Sequence, residues 1–215
     1  MSGRLEDLAI IVARWLRYFF NPGDVTELRA LSVVKPSFRK PHVEGGFYDY
    51  DHFDKMALDA VTVTRHAKGV YFVMNPLRPD ILSRRANRIE VATTDFLATD
   101  RDVRERRWLL IDLDPERDPL VSATTAEKEA ASEMADAVAT YYQEALWPDP
   151  IRADSGNGYH LFYRVQMPND GHATKTVRNV LQWLGTRFDN KACKVDRKVF
   201  NASRIVKLPG TQARK

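Results

Sequence analysis

Cysteine is nearly absent from this chain of 215 residues: Cys193 stands alone. No internal disulfide can form, and without a CxxC pair or a His/Cys array no structural zinc site is expected. One unpaired thiol fits a reducing compartment, so a cytoplasmic location is expected. Long apolar runs are also missing, and none approaches the roughly 20 residues of a membrane span. The best candidate, residues 8–20 (LAIIVARWLRYFF), is interrupted by Arg14 and Arg17. No small-residue cleavage site follows it, so it reads as an amphipathic helix rather than a signal segment. Internal repeats and low-complexity linkers are absent too, and no membrane partner is expected.

What is present is a globular composition. Hydrophobic residues make up 44% of the chain, enough for a packed interior in one ordinary domain or in two small modules sharing a core. The net charge of +4 and pI near 9.2 point weakly to a polyanion. The distribution says more. Arg84, Arg85, Arg88, Arg101, Arg104, Arg106 and Arg107 crowd one stretch, and a second basic run from Lys191 to Lys215 crowds the end. Each run reads equally well as a phosphate-binding surface or as a solvated face.

Hydrophobic periodicity predicts a helix over 4–20, a strand over 27–35, a loop over 40–49 around Gly45 and Gly46, and a short helix over 51–60. A buried strand is predicted over 69–75, and polar, irregular chain over 79–107. The near-continuous apolar run 107–113 (RWLLIDL) predicts a central buried strand ended by Pro115. A long helix over 124–146 is announced by the Thr124/Glu127 capping box, with Met134, Val138, Tyr141 and Ala145 along one face. Strands 150–154 and 159–165 flank the turn Ser155-Gly156-Asn157-Gly158, a hairpin signal. A helix over 173–188 should turn Val177, Val180, Leu181, Leu184 and Phe188 inward. One or two short strands lie within 194–208. From Arg107 the order is β-α-β-β-α-β, the ferredoxin-like or RRM-like arrangement, whose strand order 4-1-3-2 puts the first strand in the middle.

That order tells which residues can meet. Asp112 and Asp114 end the first strand two residues apart, so both carboxylates point to one face. Like charges at the end of a buried strand need compensation, and a hard divalent cation supplies it. Two surface aspartates at a solvated strand end are an equally ordinary reading. Asp196, in KVDRKVF at the presumed fourth strand, would supply a third carboxylate next to the first strand; the plain alternative is a surface ion pair. In DSGNGYH, residues 154–160, glycines permit close backbone approach, and the Ser155 hydroxyl and turn amides can hold an anion. His160 starts the third strand, one strand away from the aspartates. A simple turn followed by a half-buried histidine is the plain alternative there. Singly these signals are weak; together they fall at one end of three adjacent strands.

The segments LLIDLDP, DSGNGYHLFY and KVDRKVFNASRIVKLPGT, in that order, resemble the three signature motifs of the archaeo-eukaryotic primase superfamily. The stretch YFVMNPLRPDILSRRANRI resembles the lead-in of primase-polymerases from phages, plasmids and CRISPR-linked loci, and the likeness spans residues 45–212. It implies an α+β primase fold in a single catalytic domain, 1–215: an N-terminal α/β module over 1–105 and an RRM-like catalytic module over 106–215. It implies DNA-templated nucleotidyl transfer that makes and extends primers. Asp112, Asp114 and Asp196 would bind two divalent ions, Mg²⁺ or Mn²⁺. Ser155, Gly156, Asn157, Gly158 and His160, with Arg204 and Lys207, would hold the nucleotide triphosphate. Asn75, Arg85 and Asn87 would line the nucleotide or template side. The implied partners are single-stranded DNA, a primer strand, nucleoside triphosphates, and helicase or other replication or defence proteins. The rival readings are another palm-type two-metal enzyme, a nucleotidyl cyclase or nuclease, and a non-catalytic RRM-like nucleic-acid-binding module.

Overall fold

The computed structural model describes residues 2–118, 121–212 and 214, with the side chains of the first four residues left aside. In chain order the elements are α1 (Ser2–Phe19), β1 (Val25–Val33), β2 (His42–Asp49), α2 (Phe53–Val63), β3 (Gly69–Val73), β4 (Glu90–Val91), β5 (Glu105–Pro115), α3 (Thr125–Glu144), β6 (Ile151–Asp154), β7 (Tyr159–Pro168), α4 (Gly171–Phe188), β8 (Cys193–Val195) and β9 (Ile205–Lys207). The architecture is α+β, with four helices and two antiparallel sheets among the described residues. Two compact units divide the chain, Met1–Glu105 with Ser203–Arg214, and Arg106–Ala202. Ser203–Arg214 thus groups with the first unit, and the second unit is one contiguous stretch among the described residues.

In the first unit the strand order is β4-β2-β1-β3-β9. Helix α1 buries Val12, Leu16 and Phe19 and leaves Arg14 and Arg17 in solvent, as its amphipathic pattern demands. Phe19 meets Phe72 of β3 edge-on with ring centroids 5.1 Å apart, and Phe20 meets Phe53 of α2 at 5.5 Å. The two helices thus share an aromatic seam over the sheet. Strand β2 replaces the loop expected over 40–49. Its glycines are not turn residues. A Cβ on Gly46 would lie 1.8 Å from the Arg88 carbonyl oxygen, so the glycine is there to let neighbouring backbone approach. Strand β1 also ends earlier than expected. Its pairing with β2 shifts register between Ala30 and Val33, around Ser32 in the left-handed region at φ 51°, which marks a bulge.

In the second unit the strand order is β6-β7-β5-β8. Numbered within the unit, this is the 4-1-3-2 order that the β-α-β-β-α-β succession calls for, with β5 between β7 and β8. The capping box of α3 is formed: Thr124 Oγ1 accepts from the Glu127 amide at 3.3 Å, and Glu127 Oε2 accepts from the Thr124 amide at 2.7 Å. Thr124→Ala should therefore cost about 1 kcal/mol. It would be read as a lower urea midpoint at constant slope; an unmoved midpoint would show the cap to be idle. The inward face of α3 is Ala131, Met134, Ala135, Val138 and Tyr142, one position displaced from the expected Tyr141 and Ala145. In α4, Val177, Leu181 and Leu184 are buried as expected, whereas Val180 and Phe188 are only half-buried. Tyr142 packs on Tyr163 of β7 at 4.6 Å. That contact puts the odd residues of β7 on the helix side, so by strand alternation His160 and Phe162 face the other way.

Candidate active site

Strand β5 opens with Glu105, Arg106 and Arg107, runs apolar from Trp108 to Ile111, and ends where Asp112 is half-buried and Asp114 opens to solvent. Asp112 is flanked on both sides by neighbouring chain. On one side, the Asp196 amide donates to the Asp112 carbonyl oxygen at 2.8 Å. Asp196 itself lies one residue beyond β8, so the third carboxylate sits just past the fourth strand of the unit rather than in it. On the other side, His160 of β7 brings Nε2 to 3.3 Å from Asp112 Oδ1. This is an ion pair without hydrogen-bond alignment, since buried Asp112 Oδ1 has no hydrogen-bond partner.

The hairpin turn is pressed onto the same strand end. A Cβ on Gly158 would fall 2.1 Å from the Leu113 carbonyl oxygen, so only glycine lets the turn lie against the strand between the two aspartates. Inside the turn, the Gly158 amide donates to Ser155 Oγ at 3.0 Å and the Gly156 amide to Asp154 Oδ1 at 2.7 Å. Both glycine amides expected to cradle an anion are thus bonded within the turn. Asn157 Oδ1 accepts from the Ala123 amide at 3.1 Å and ties the turn to the start of α3.

Electrostatics follow from this crowding. Partial desolvation, then the Asp112 charge, raise the Asp114 carboxyl to about 6; Asp196 adds to the rise, while His160 and Arg117 oppose it. Burial alone would lower the His160 pKa. The Asp112 carboxylate, with Asp114 and Asp154 behind it, outweighs burial and holds the imidazole above its ordinary value. The site therefore sets His160 against Asp112, with Asp114 and Asp154 acting on it from further off. Arg117 and the Asp154–Lys128 pair at 2.6 Å were not singled out from sequence. Arg117 and Asp154 had only their proximity to the DxD and SGNG segments as a signal, and Lys128 had none.

Do these residues suit a divalent cation? The donors are hard carboxylate oxygens, one of them buried and unbonded, and one carboxyl is driven toward protonation by its neighbours. A hard dication such as Mg²⁺ or Mn²⁺ suits these donors and relieves both conditions, and the set fits. Asp196 Oδ1 is engaged by the Lys198 amide at 2.8 Å. Among the described residues no three His, Cys, Asp or Glu side chains form a ready-made cage. The triad is assembled by backbone position, not closed by side chains.

Comparison with protein-family models, curated proteins and solved structures gave no match.

The remaining sequence candidates lie in the first unit. Lys207, on β9, is largely buried, donates to the Thr211 carbonyl oxygen at 2.9 Å and to the Thr211 hydroxyl, and burial lowers its amine to about 8. Arg204 precedes the same strand, and its carbonyl oxygen accepts from the Met74 amide at 3.3 Å. Both belong to the unit that does not carry the carboxylates. Asn75 is fully buried after β3. Arg85 donates to the carbonyl oxygens of Gly45, Glu90 and Val91 at 3.0, 3.1 and 3.2 Å and covers the Phe96 ring at 4.1 Å. It ties β4 to β2. Asn87, at φ 52°, bridges the Asp49 amide and carboxylate at 3.1 and 2.9 Å. Both side chains hold a corner of the fold.

Much of the arginine-rich stretch is spent likewise. Arg84 pairs with Asp102 at 2.6 Å, Arg88 with Glu90 at 2.9 Å and Arg104 with Asp24 at 2.7 Å. Arg106 is buried, donating to the Phe200 carbonyl oxygen at 2.8 Å and to Thr174 Oγ1 at 2.7 Å. In the C-terminal run, Lys194 pairs with Glu116 at 3.0 Å and Arg197 with Asp189 at 2.6 Å. Lys215 lies outside the described residues. No helix among the described residues is long and apolar enough to cross a membrane.

Proposed function

We propose that this chain is the catalytic core of a primase-polymerase, a DNA-templated nucleotidyltransferase of the archaeo-eukaryotic primase type. The observation that carries the reading is the meeting of Asp112, Asp114, Asp196 and His160 at one end of β5, β7 and β8, with an unbonded Asp112 oxygen at its centre. The motif order and the 4-1-3-2 strand order support it. An RRM-like binding module reads bases with aromatics on its central strands; here the central strand ends in two aspartates.

In the proposed reaction the 3′-oxygen of the growing strand bonds to the α-phosphorus of an incoming nucleotide. The bridge to the β-phosphorus breaks, and pyrophosphate leaves. Asp112, Asp114 and Asp196 would hold two Mg²⁺ or Mn²⁺ ions, which when bound would ease deprotonation of the attacking hydroxyl and neutralise phosphate charge. Asp112 and Asp114 are aimed by strand geometry, so little reorganisation is asked of them. His160, whose protonated form Asp112 favours, would donate to the triphosphate. The Ser155 hydroxyl accepts from Gly158 and keeps its own proton to donate.

His160→Ala should then raise the KM for nucleotide roughly tenfold to a hundredfold, the worth of a charge-assisted hydrogen bond. DNA affinity should be nearly unchanged. Lost DNA affinity with a normal nucleotide KM would place His160 on the template instead. The general test is incubation with single-stranded DNA, either nucleotide set and Mn²⁺ or Mg²⁺, with and without primer; extension products are expected.

One observation favours a second reading. With the Gly156 and Gly158 amides already bonded inside the turn, part of the triphosphate cradle is gone, and a nuclease needs no such cradle. Metal-dependent shortening of the DNA, with no nucleotide incorporated, would choose that reading.

A further inference from the structure

Arg39, Lys40, Arg65 and Lys68 lie outside both basic runs, and Arg214 of the second run joins them. Beyond the β1 bulge, the β1–β2 connection reads Val34-Lys35-Pro36-Ser37-Phe38-Arg39-Lys40-Pro41. Two prolines stiffen it, and the Phe38 amide closes a turn on the Lys35 carbonyl oxygen at 3.0 Å. Phe38 is 43% exposed and packs against the His42 ring, centroids 4.1 Å apart. His42 is in turn anchored at 3.0 Å to Glu44, which also takes Lys35 at 2.5 Å. Arg39 and Lys40 are exposed.

Two further segments join the root of this loop. The Val34 amide donates to the His66 carbonyl oxygen at 2.8 Å, and the Lys68 amide to the Leu31 carbonyl oxygen at 3.0 Å. The C-terminal strap follows: the Arg214 amide donates to the Lys68 carbonyl oxygen at 2.7 Å, and its guanidinium to the Arg65 carbonyl oxygen at 2.7 Å. Arg65 and Lys68 are exposed. Among the described residues none of Arg39, Lys40, Arg65 and Lys68 has a carboxylate partner, and Arg214 is bonded only to neutral oxygens. Segments far apart in sequence thus bring these uncompensated cations to one end of the first sheet, beside an exposed aromatic ring.

We propose that this end of the first unit is a binding surface for single-stranded nucleic acid. Arg39, Lys40, Arg65 and Lys68 would take successive phosphates, and Phe38 would stack one base. Uncompensated cations beside a π-face are what a single strand requires. An anionic membrane surface suits the arrangement less well. It would favour several apolar side chains projecting freely, whereas in this loop Val34 and Phe38 are the large exposed ones and the Phe38 ring is held down against His42. This deepens the reading proposed above by naming where the strand is gripped, and it rests on that reading only for the partner's role as template.

The test uses the full chain and a labelled oligothymidylate, with affinity measured by anisotropy across a salt series. Four phosphate contacts predict a log–log slope of about −3. The Arg65→Ala/Lys68→Ala double variant should flatten the slope by about 1.4. Phe38→Ala should weaken binding roughly tenfold or more at every salt concentration and leave the slope unchanged, while Phe38→Trp should retain affinity. Phe38 and these cations are exposed, so loss of folding is not expected, and unchanged circular dichroism checks this.

Wild-type affinity in both variants overturns the proposal. So does an effect of Phe38→Ala on binding to phosphatidylserine vesicles but not to oligothymidylate, or a wild-type chain that does not bind at low salt. Loop-dependent binding without nucleotide incorporation would sink the polymerase reading and leave this one standing. Template extension that is indifferent to both variants would do the reverse.

Discussion

Asp112→Ala is expected to lower templated nucleotide incorporation by at least about a thousandfold. Removing an ion-binding carboxylate takes away several kcal/mol of transition-state stabilisation, and each 1.36 kcal/mol is about tenfold in rate. The loss should fall on kcat, since the charge being stabilised develops in the transition state. Folding should survive, because Asp112 is only half-buried and its removal relieves its repulsion of Asp114. Full extension activity in the variant would end the assignment.

Stability gives an independent readout of the same cluster. The Asp114 carboxyl stands near 6 in the fold against an ordinary 3.8, so the folded chain holds a proton that the unfolded chain has released. In chelator, the contribution of Asp114 to stability, read as the difference between the wild type and Asp114→Asn, should be fully present below about pH 4 and decline as pH rises toward about 6. Asp114→Asn should remove that decline. Mn²⁺ should raise the melting temperature of the wild type and not of the variant, as expected of a ligand that binds only the folded state.

Gly158→Ala is expected to damage fold and function together. The added methyl would sit 2.1 Å from the Leu113 carbonyl oxygen, a backbone atom in the central strand that cannot swing aside. Either the hairpin lifts from β5 or β5 bends. Overpacking of this kind costs about 1–3 kcal/mol, and a chain of this size loses about 2–4 °C in melting temperature per kcal/mol. A lifted hairpin would also carry His160 away from Asp112. Incorporation should therefore fall even at temperatures where the variant is fully folded. Gly156, at φ 101°, serves the turn in another way, and its substitution strains the backbone without driving it off the strand. A Gly158→Ala protein with wild-type melting and activity would show that the turn does not bear on β5.

The second unit was legible because its strands and helices each carry a strong period and follow one another closely. RWLLIDLDP could only be a central strand, and the capping box announced α3. Where the reading failed, the cause was an interaction between distant residues. Gly45 and Gly46 look like a loop until Leu97 is placed against the one and Arg88 against the other. The run from Arg84 to Arg107 looks like a phosphate surface until Asp24, Glu90 and Asp102 neutralise much of it. The cations of Arg39, Arg65 and Lys68 look scattered until backbone hydrogen bonds gather their segments. The carboxylate pair was readable because alternation along one strand is local. The engagement of the Gly156 and Gly158 amides within the turn was not, since a free and a bonded amide share one sequence.

Strand β9 has a temporal meaning. It pairs with β3, Tyr71 opposite Lys207 and Val73 opposite Ile205, yet it is made only after Arg106–Ala202 has emerged. During synthesis at about 5–20 residues per second, the first unit must wait roughly 5–20 s with β3, an apolar strand of sequence GVYFV, as an open edge. Such an edge invites pairing with other chains. The second unit, contiguous in the chain, is made during that interval and needs no later segment to complete its sheet. The last strand to arrive therefore both completes the first sheet and ends its period of exposure, and crowded expression would punish any change that delays it.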